Sequence, residues 1–434
     1  VGDVPAVDGS TPTRRRPFGS NPLVGERGSE TERRIFQGAL EVFAEVGFNE
    51  ARVELITQRA GCSRPAFYQY FSSKDDVFWK LARELGGKLV DLGGRLEPIG
   101  PDTEGVERLV TWIDDFTRLY QGYSPIFSAF QAASRDHESL AEQSTAFSAR
   151  LDTALLRAFG RRNRGRDQAL ASGMAAVLIR CSFYWEAMAA TGPVEHQRLV
   201  DGLAHVVHRL FHGPIDGVNI RRTATATPAP PAFAAIPPLP VPASDRALRP
   251  RGEKTRRRLL DAGTKVLPAR GYHDARVDDI VVTAGVSHGS FYRYFTDKDD
   301  FFRALAREAG GQLVELLGRF PSDGETSALR VWLEEWFDSY RSNGGVITVW
   351  QEMQESGTEL TEFSQQVAGS IVTGLVTMLE TRGFGDALVD ALILLALIER
   401  LPYRAFTLRY TSREAAIEAT ITIVRRGLLG QADP

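Results

Sequence analysis

An all-α fold is the expectation for this 434-residue chain. Apolar residues recur at three- and four-residue spacing almost throughout, a hinged pair of short helical patterns occurs twice, and a duplication carries each pair along. With a shift of 224 residues, Arg27 to Arg95 superposes on Arg251 to Arg319 without a gap, about half of the positions being identical. The match continues more weakly. Trp112-Ile113-Asp114-Asp115-Phe116 with Tyr120 echoes Trp332-Leu333-Glu334-Glu335-Trp336 with Tyr340, and Leu199 to Gly213 aligns with Ala416 to Gly430. The whole unit was therefore duplicated.

The hinged pair lies in Arg52 to Asp76, RVELITQRAGCSRPAFYQYFSSKDD, and again in Arg276 to Asp300, RVDDIVVTAGVSHGSFYRYFTDKDD. In the first copy Val53, Ile56 and Ala60 make an apolar stripe at helical spacing. Gly61 suits the positive φ of a tight turn, Ser63 can cap the next helix, and Phe67 with Phe71 gives that helix a buried face. The result is a helix-turn-helix pattern whose second helix leaves its polar side outward, sized for the major groove of duplex DNA.

Flanking residues narrow the reading. An amphipathic helix ending in Gly-aromatic precedes each copy, EVFAEVGF at Glu41 to Phe48 and KVLPARGY at Lys265 to Tyr272. FYQYF-SS-K and FYRYF-TD-K follow, each with an acidic pair behind it. In this order and spacing the stretch resembles the DNA-binding domain of the TetR family of transcriptional repressors. Two departures stand out: Arg52 and Arg276 replace the usual small hydroxyl residue, and Pro268 is expected to interrupt the first helix of the second copy.

The resemblance implies two tandem TetR-like units. Each would be an N-terminal three-helix helix-turn-helix domain followed by a helical ligand-binding and dimerisation domain, and the last two long helices of both halves would join as an intramolecular pseudo-dimer. The expected domains are a disordered basic arm over residues 1–26, a DNA-binding domain over 27–80 and a ligand domain over 81–213. After a Pro/Ala-rich linker at 214–250, a second DNA-binding domain covers 251–304 and a second ligand domain 305–434.

In order along the chain, residues 1–26 are rich in Gly, Pro and Ser around Arg14-Arg15-Arg16, a composition that cannot bury a core. The triplet reads equally as a minor-groove arm or as a solvated tail. Helical periodicity marks Val106 to Tyr123, His137 to Phe159, Asp167 to Ala190 and His196 to His212 in the first ligand region. The second gives Ser327 to Ser342, Val346 to Glu355, Leu360 to Thr381, Ala387 to Tyr410 and Arg413 to Leu429. Between the halves TATATPAPPAFAAIPPLPVPAS blocks helix and sheet ladders, and about 30 such residues at roughly 3.1 Å each reach on the order of 90 Å.

On the reading helices, the expected DNA contacts are Arg64, Pro65, Ala66, Tyr68 and Gln69 in copy one, with Arg52 able to reach phosphate. In copy two they are His288, Gly289, Ser290, Tyr292 and Arg293, with Arg276. Tyr70, Lys74, Tyr294 and Lys298 match the family's phosphate-clamping positions; for the two lysines a surface ion pair with the following aspartates is the plainer alternative. Gln69 suits adenine and Arg293 guanine, so the two half-sites should differ and the operator should be non-palindromic. Arg246, Arg249, Arg251, Lys254, Arg256, Arg257 and Arg258 surround the start of the second unit, where some should neutralise phosphates.

The family implies an inducer cavity, for which the aromatic candidates are Trp112, Phe116, Tyr120, Phe127 and Phe183 in the first half. In the second half they are Trp332, Trp336, Tyr340, Trp350 and Tyr403. Aromatic stripes at helical spacing are more often packing. A large apolar cavity would suit a lipid-like effector, which would act by shifting the two reading helices out of register with the groove.

A net charge of −3 and a pI near 6.2 do not by themselves suggest a nucleic-acid binder, but binding depends on the local face. Cys62 and Cys181 form neither a disulfide framework nor a metal cage, which fits a reducing, cytoplasmic, nucleoid-associated protein. No membrane partner is expected, the longest apolar run being Ala391 to Ile398. Ser134, Asp136 and His137 cluster without a nucleophile elbow. His205, His208 and His212 share a helical face, a spacing that metal sites also use. The expectation remains a non-enzyme without cofactor or metal, and the competing reading is a helical scaffold or sensor whose helix-turn-helix units have lost DNA affinity. Self-association beyond the pseudo-dimer stays open.

Overall fold

The computed structural model describes residues 26–133, 138–162, 165–189, 195–215, 250–321, 324–353, 359–380 and 386–431. The expected basic arm with Arg14 to Arg16, nearly all of the expected linker, Ser134, Asp136, His137 and the side chain of Trp350 lie outside these. The described residues are helical and contain no strand, and none of their helices is long and apolar enough to cross a membrane. The chain divides into two compact units, residues 1–85 and 86–434.

In the smaller unit, α1 (Glu26–Glu50) lays Ile35, Ala39, Val42 and Phe43 against α2 (Val53–Ala60). α3 (Arg64–Tyr70) and the start of α4 (Lys74–Arg95) close the core with Phe67, Phe71, Val77 and Phe78, all essentially inaccessible. Each such side chain contributes about 1.5–3 kcal/mol of burial, enough to hold the two short helices α2 and α3, which would not persist alone.

The larger unit starts with α5 (Thr103–Ala133), α6 (Glu138–Ala158), α7 (Gly165–Ala189) and α8 (His196–His212). α5 runs past the expected end at Tyr123, but that residue has non-helical φ/ψ of −129° and 15°. Pro125 is the cause: its ring and missing N–H disrupt the preceding turn. The second copy then gives α9 (Pro250–Asp274), α10 (Val277–Ala284), α11 (His288–Tyr292) and α12 (Lys298–Gly318). Pro268 does not end α9, contrary to expectation; the helix persists until Gly271 takes φ 72°.

α13 (Thr326–Met353), α14 (Glu359–Glu380), α15 (Ala387–Phe406) and α16 (Arg413–Thr422) complete the chain, with a π-helical turn at Ile423–Leu428. The break expected between Ser342 and Val346 is absent. Gly344 is helical, and a Cβ there would stand 2.7 Å from the Tyr340 ring, so this glycine serves packing within one continuous helix. α15 stops four residues before the expected Tyr410. Past Phe406 the Tyr410 N–H donates to the Arg404 carbonyl at 2.9 Å and its hydroxyl to Asp152 at 2.8 Å, so the segment turns to satisfy a buried carboxylate. Within this unit α7 packs on α15 and α16, and α8 on α15 and the π turn.

Candidate nucleic-acid interface

Each turn is built by one glycine and one serine. Gly61 (φ 61°, ψ 39°) and Gly285 (φ 63°, ψ 43°) adopt the left-handed conformation that ends α2 and α10, their N–H groups returning to the last carbonyls. Ser63 Oγ then accepts the Ala66 N–H at 3.2 Å, and Ser287 Oγ accepts that of Ser290 at 3.3 Å. Asp76 and Asp300 close the far side, each accepting the backbone N–H four residues upstream, from Ser72 and Thr296, at 2.9 Å. With Phe67 and Phe291 buried, the opposite face of each second helix has to point outward.

That face carries the expected residues. Arg64, Pro65, Tyr68 and Gln69 are exposed in copy one and Ala66 is half-buried; His288, Gly289, Tyr292 and Arg293 are exposed in copy two and Ser290 is half-buried. The tyrosines stand out, Tyr68 being 49% and Tyr292 57% accessible. Arg52 and Arg276 are exposed and, as their chemistry requires, make no side-chain cap. Asp279 caps from the other direction, accepting the Arg276 N–H at 3.1 Å.

Two groups of expected phosphate contacts are placed differently. Tyr70 and Tyr294 are buried, with 8% and 7% of their surface accessible, so they belong to the helix core. The Lys74 ammonium donates to the carbonyls of Phe48 (2.8 Å) and Ala51 (3.0 Å), and Lys298 donates to Ala275 at 3.3 Å. Both lysines are partly buried, and desolvation pulls their pKa below the usual lysine range against the opposing pull of Asp75 and Asp299. Through these bonds the two lysines tie the loop before α2 or α10 to the start of the following long helix.

The reading residues also have neighbours that spacing did not reveal. Arg64 is ion-paired with Glu54, and His288 Nε2 lies 2.6 Å from Asp278. Within the basic cluster, Arg257 pairs with Asp261 and Glu308, and Arg258 donates to the Gly285 carbonyl at 3.1 Å. Those two cations serve the fold of the second copy. The acidic residue ten positions before Arg64 and before His288 was visible in the sequence as the signal.

The aromatic candidates for a ligand cavity are mostly core. Trp112 Nε1 donates to Leu92 O at 2.9 Å, Trp332 to Leu316 O and Trp336 to Ile398 O, both at 2.7 Å. Burial forces each indole N–H to find a carbonyl. Phe116 stacks on Trp112 and Tyr120 on Phe127, at 5.8 and 4.5 Å between ring centres, and Tyr340 is buried. Phe183 and Tyr403 are half-buried. Two cavities among the described residues, about 280 and 410 Å³, are lined by residues of α9, α12 and α13 that include Arg257, Asp261, Gln312 and Asn343, and none of these aromatics lines either of them.

His205, His208 and His212 do not converge on a metal. His208 bonds to Gly100 O and His212 to Ile99 O, both at 2.9 Å, while His205 Nδ1 lies 2.7 Å from Asp201 O. Among the described residues no group of three or more His, Cys, Asp or Glu could hold a metal ion.

Two regions, residues 35–80 and 259–305, match the family model described as "Bacterial regulatory proteins, tetR family". The fatty acid metabolism regulator protein of Bacillus subtilis is 28% identical over 125 residues, covering 28% of this chain and 62% of the relative. The HTH-type transcriptional activator FasR of Mycolicibacterium smegmatis is 33% identical over 119 residues, 26% of this chain and 53% of the relative. The chain thus spans less than two thirds of either relative. A crystal structure of the regulator FadR from Bacillus subtilis in complex with stearoyl-CoA aligns over 41% of this chain and 99% of its own, at 18% identity and a TM-score of 0.34.

Proposed function

We propose that the chain is a tetR-family regulator with two such units in tandem, and that it represses transcription by binding one operator through two non-identical reading helices. The observation that carries this is the pair of exposed faces. Matched positions hold Gln69 and Arg293, Arg64 and His288, Pro65 and Gly289, on turns of the same construction. Gln favours adenine and Arg favours guanine in the major groove, so each half-site has its own sequence and the operator is non-palindromic. The packing of α7 on α15 and α16, and of α8 on α15 and the π turn, supports reading the two halves as an intramolecular pseudo-dimer.

The effector is proposed to be small and hydrophobic. Support comes from the name of the Bacillus subtilis relative, a fatty acid metabolism regulator, and from the half-buried aromatics Phe127, Phe183 and Tyr403. It acts by favouring one tilt of the DNA-binding units over another, with α12 as a lever in the second half because it packs on α9, α13 and α14. A cytoplasmic, nucleoid-associated location follows from this role.

Footprinting of the full chain on the DNA upstream of its own coding sequence tests the reading. Two adjacent protected half-sites of different sequence are expected, with affinity falling steeply between 50 and 200 mM salt, as for about 6–10 phosphate contacts. A second reading, a scaffold that no longer binds DNA, is favoured by Glu54 and Asp278, carboxylates paired to the first residue of each reading helix. It predicts no salt-sensitive protection at all.

A further inference from the structure

Among the helices that join the two halves, one pair of residues is placed unusually. Leu178-Ile179-Arg180 in α7 and Leu397-Ile398-Glu399 in α15 are equivalent stretches, each with a tyrosine four residues past the charge, Tyr184 and Tyr403. Where two equivalent surfaces pair about a two-fold axis, a residue near the axis meets its own counterpart. Here the counterparts meet and carry opposite charge. Arg180 Nη2 lies 2.8 Å from Glu399 Oε1, and Nε donates to Oε2 at 3.1 Å. Both side chains are nearly buried, 5% and 11% accessible. The Tyr184 hydroxyl donates to the same carboxylate, and the guanidinium lies over the Phe183 and Tyr184 rings at 4.2 and 4.7 Å.

Other contacts across these helices are one-sided too. Arg198 Nη2 donates to Asp386 Oδ1 at 2.7 Å, but the position aligned with Arg198 in the second half is Ala415. Buried Arg209 lies in the field of buried Asp390. The opposite polarity occurs at Asp152, which accepts from Tyr410 and faces Arg404 at 4.0 Å.

We propose that Arg180 and Glu399 form a charge key: the first half's surface accepts the second half's surface and rejects a copy of itself. Two first halves would bury arginine against arginine and two second halves glutamate against glutamate, each ion desolvated with no counter-charge. The partner fitted by either surface is therefore the unlike half, of the same chain or of another. Every complex then carries one reading helix of each kind. This inference rests on the reading of the two halves as a pair.

The test uses the full-length chain with a protease site inserted between residues 225 and 240, cut after purification and weighed by native mass spectrometry. Wild-type protein should give complexes of one first and one second fragment, with like pairs at least tenfold scarcer. The same chain carrying Arg180→Glu with Glu399→Arg should behave alike by itself. When the two cut proteins are mixed under conditions where isotope-labelled wild-type fragments are seen to exchange, first halves from the two sources should pair, as should second halves. Like pairs in the wild type alone, or none in the mixture, would overturn the charge key. Separation of cut wild-type protein into single fragments would overturn the pairing beneath it.

The uncut chain gives an independent measure. Arg180→Glu and Glu399→Arg should each lower the thermal midpoint by about 10 °C, from a broken buried pair in a unit of this size, and the combined variant should recover at least half of the loss. Losses that simply add would count against the key.

Discussion

The two DNA-binding units are built from the same turn and held in different ways. In both, a left-handed glycine, a capping serine and an inward aspartate fix the angle between the short helices. The first copy closes on its own core as the smaller unit, whereas the second is part of the larger unit, with α9 packed along α13. Their cores trade volume locally. Where copy one has Gly38-Ala39 and Val77, copy two has Ala262-Gly263 and Phe301. The Phe301 ring would stand 2.6 Å from a Cβ at Gly263, so the larger ring is accommodated by the smaller backbone position. Local chemistry that sets the turn was kept through the duplication, while the core changed in compensating pairs and the outward face diverged.

The largest effect should come from emptying the core. Phe67→Ala and Phe291→Ala should each cost about 3–5 kcal/mol, but with different signatures in a thermal scan. The first should separate an early transition for the small unit from the main one, and the second should shift the main transition. A single shared transition in both variants would remove the contrast in how the copies are held.

Next is the traded volume. Gly263→Ala should destabilise by about 1–3 kcal/mol through overpacking against Phe301, and adding Phe301→Val, the combination found in copy one, should restore most of it in denaturant titration. Ala39→Gly, which moves copy one toward the sequence of copy two, should cost less, about 0.5–1 kcal/mol.

Specificity sharpens the comparison at the surface. Arg293→Gln should cost about 1–3 kcal/mol at one base pair and move that half-site's preference from guanine toward adenine, leaving the other half-site unaltered. Equal changes in both halves, measured by substituting the operator base by base, would mean that the two faces do not read separate sites.

The smallest effect concerns the lysines. Lys74→Met leaves the Phe48 and Ala51 carbonyls without their donor, and Lys298→Met does the same to Ala275; each should lower stability by about 1 kcal/mol. The slope of log affinity against log salt should stay the same in both variants; a drop of about 1 would show that the ammonium had been neutralising a phosphate.

Much of this was legible in the chain because it depends on residues close together in sequence. Gly61, Ser63, Phe67 and Phe71 lie within eleven positions, and backbone conformation, capping and a helical face are all settled at that range. The same reasoning fails at Lys74, whose partners lie 23 and 26 residues away, and at Trp336, whose indole finds a carbonyl 62 residues on. It also fails at Pro268 and Gly344, where residues that usually break helices sit inside them. Surrounding contacts outweigh intrinsic propensity there.

The amino-acid order therefore determined the helices, their duplication, the turn between the reading pair and which side chains face outward, since each follows from periodicity and neighbours a few residues apart. Only the tertiary structure decided that Tyr70 and Tyr294 are core, that two lysines brace loops, that the histidines serve backbone carbonyls, and that Arg180 meets Glu399 across 219 positions of chain. Desolvation and hydrogen-bond satisfaction act between whatever groups the fold brings together, and that neighbourhood is set by packing across the whole unit.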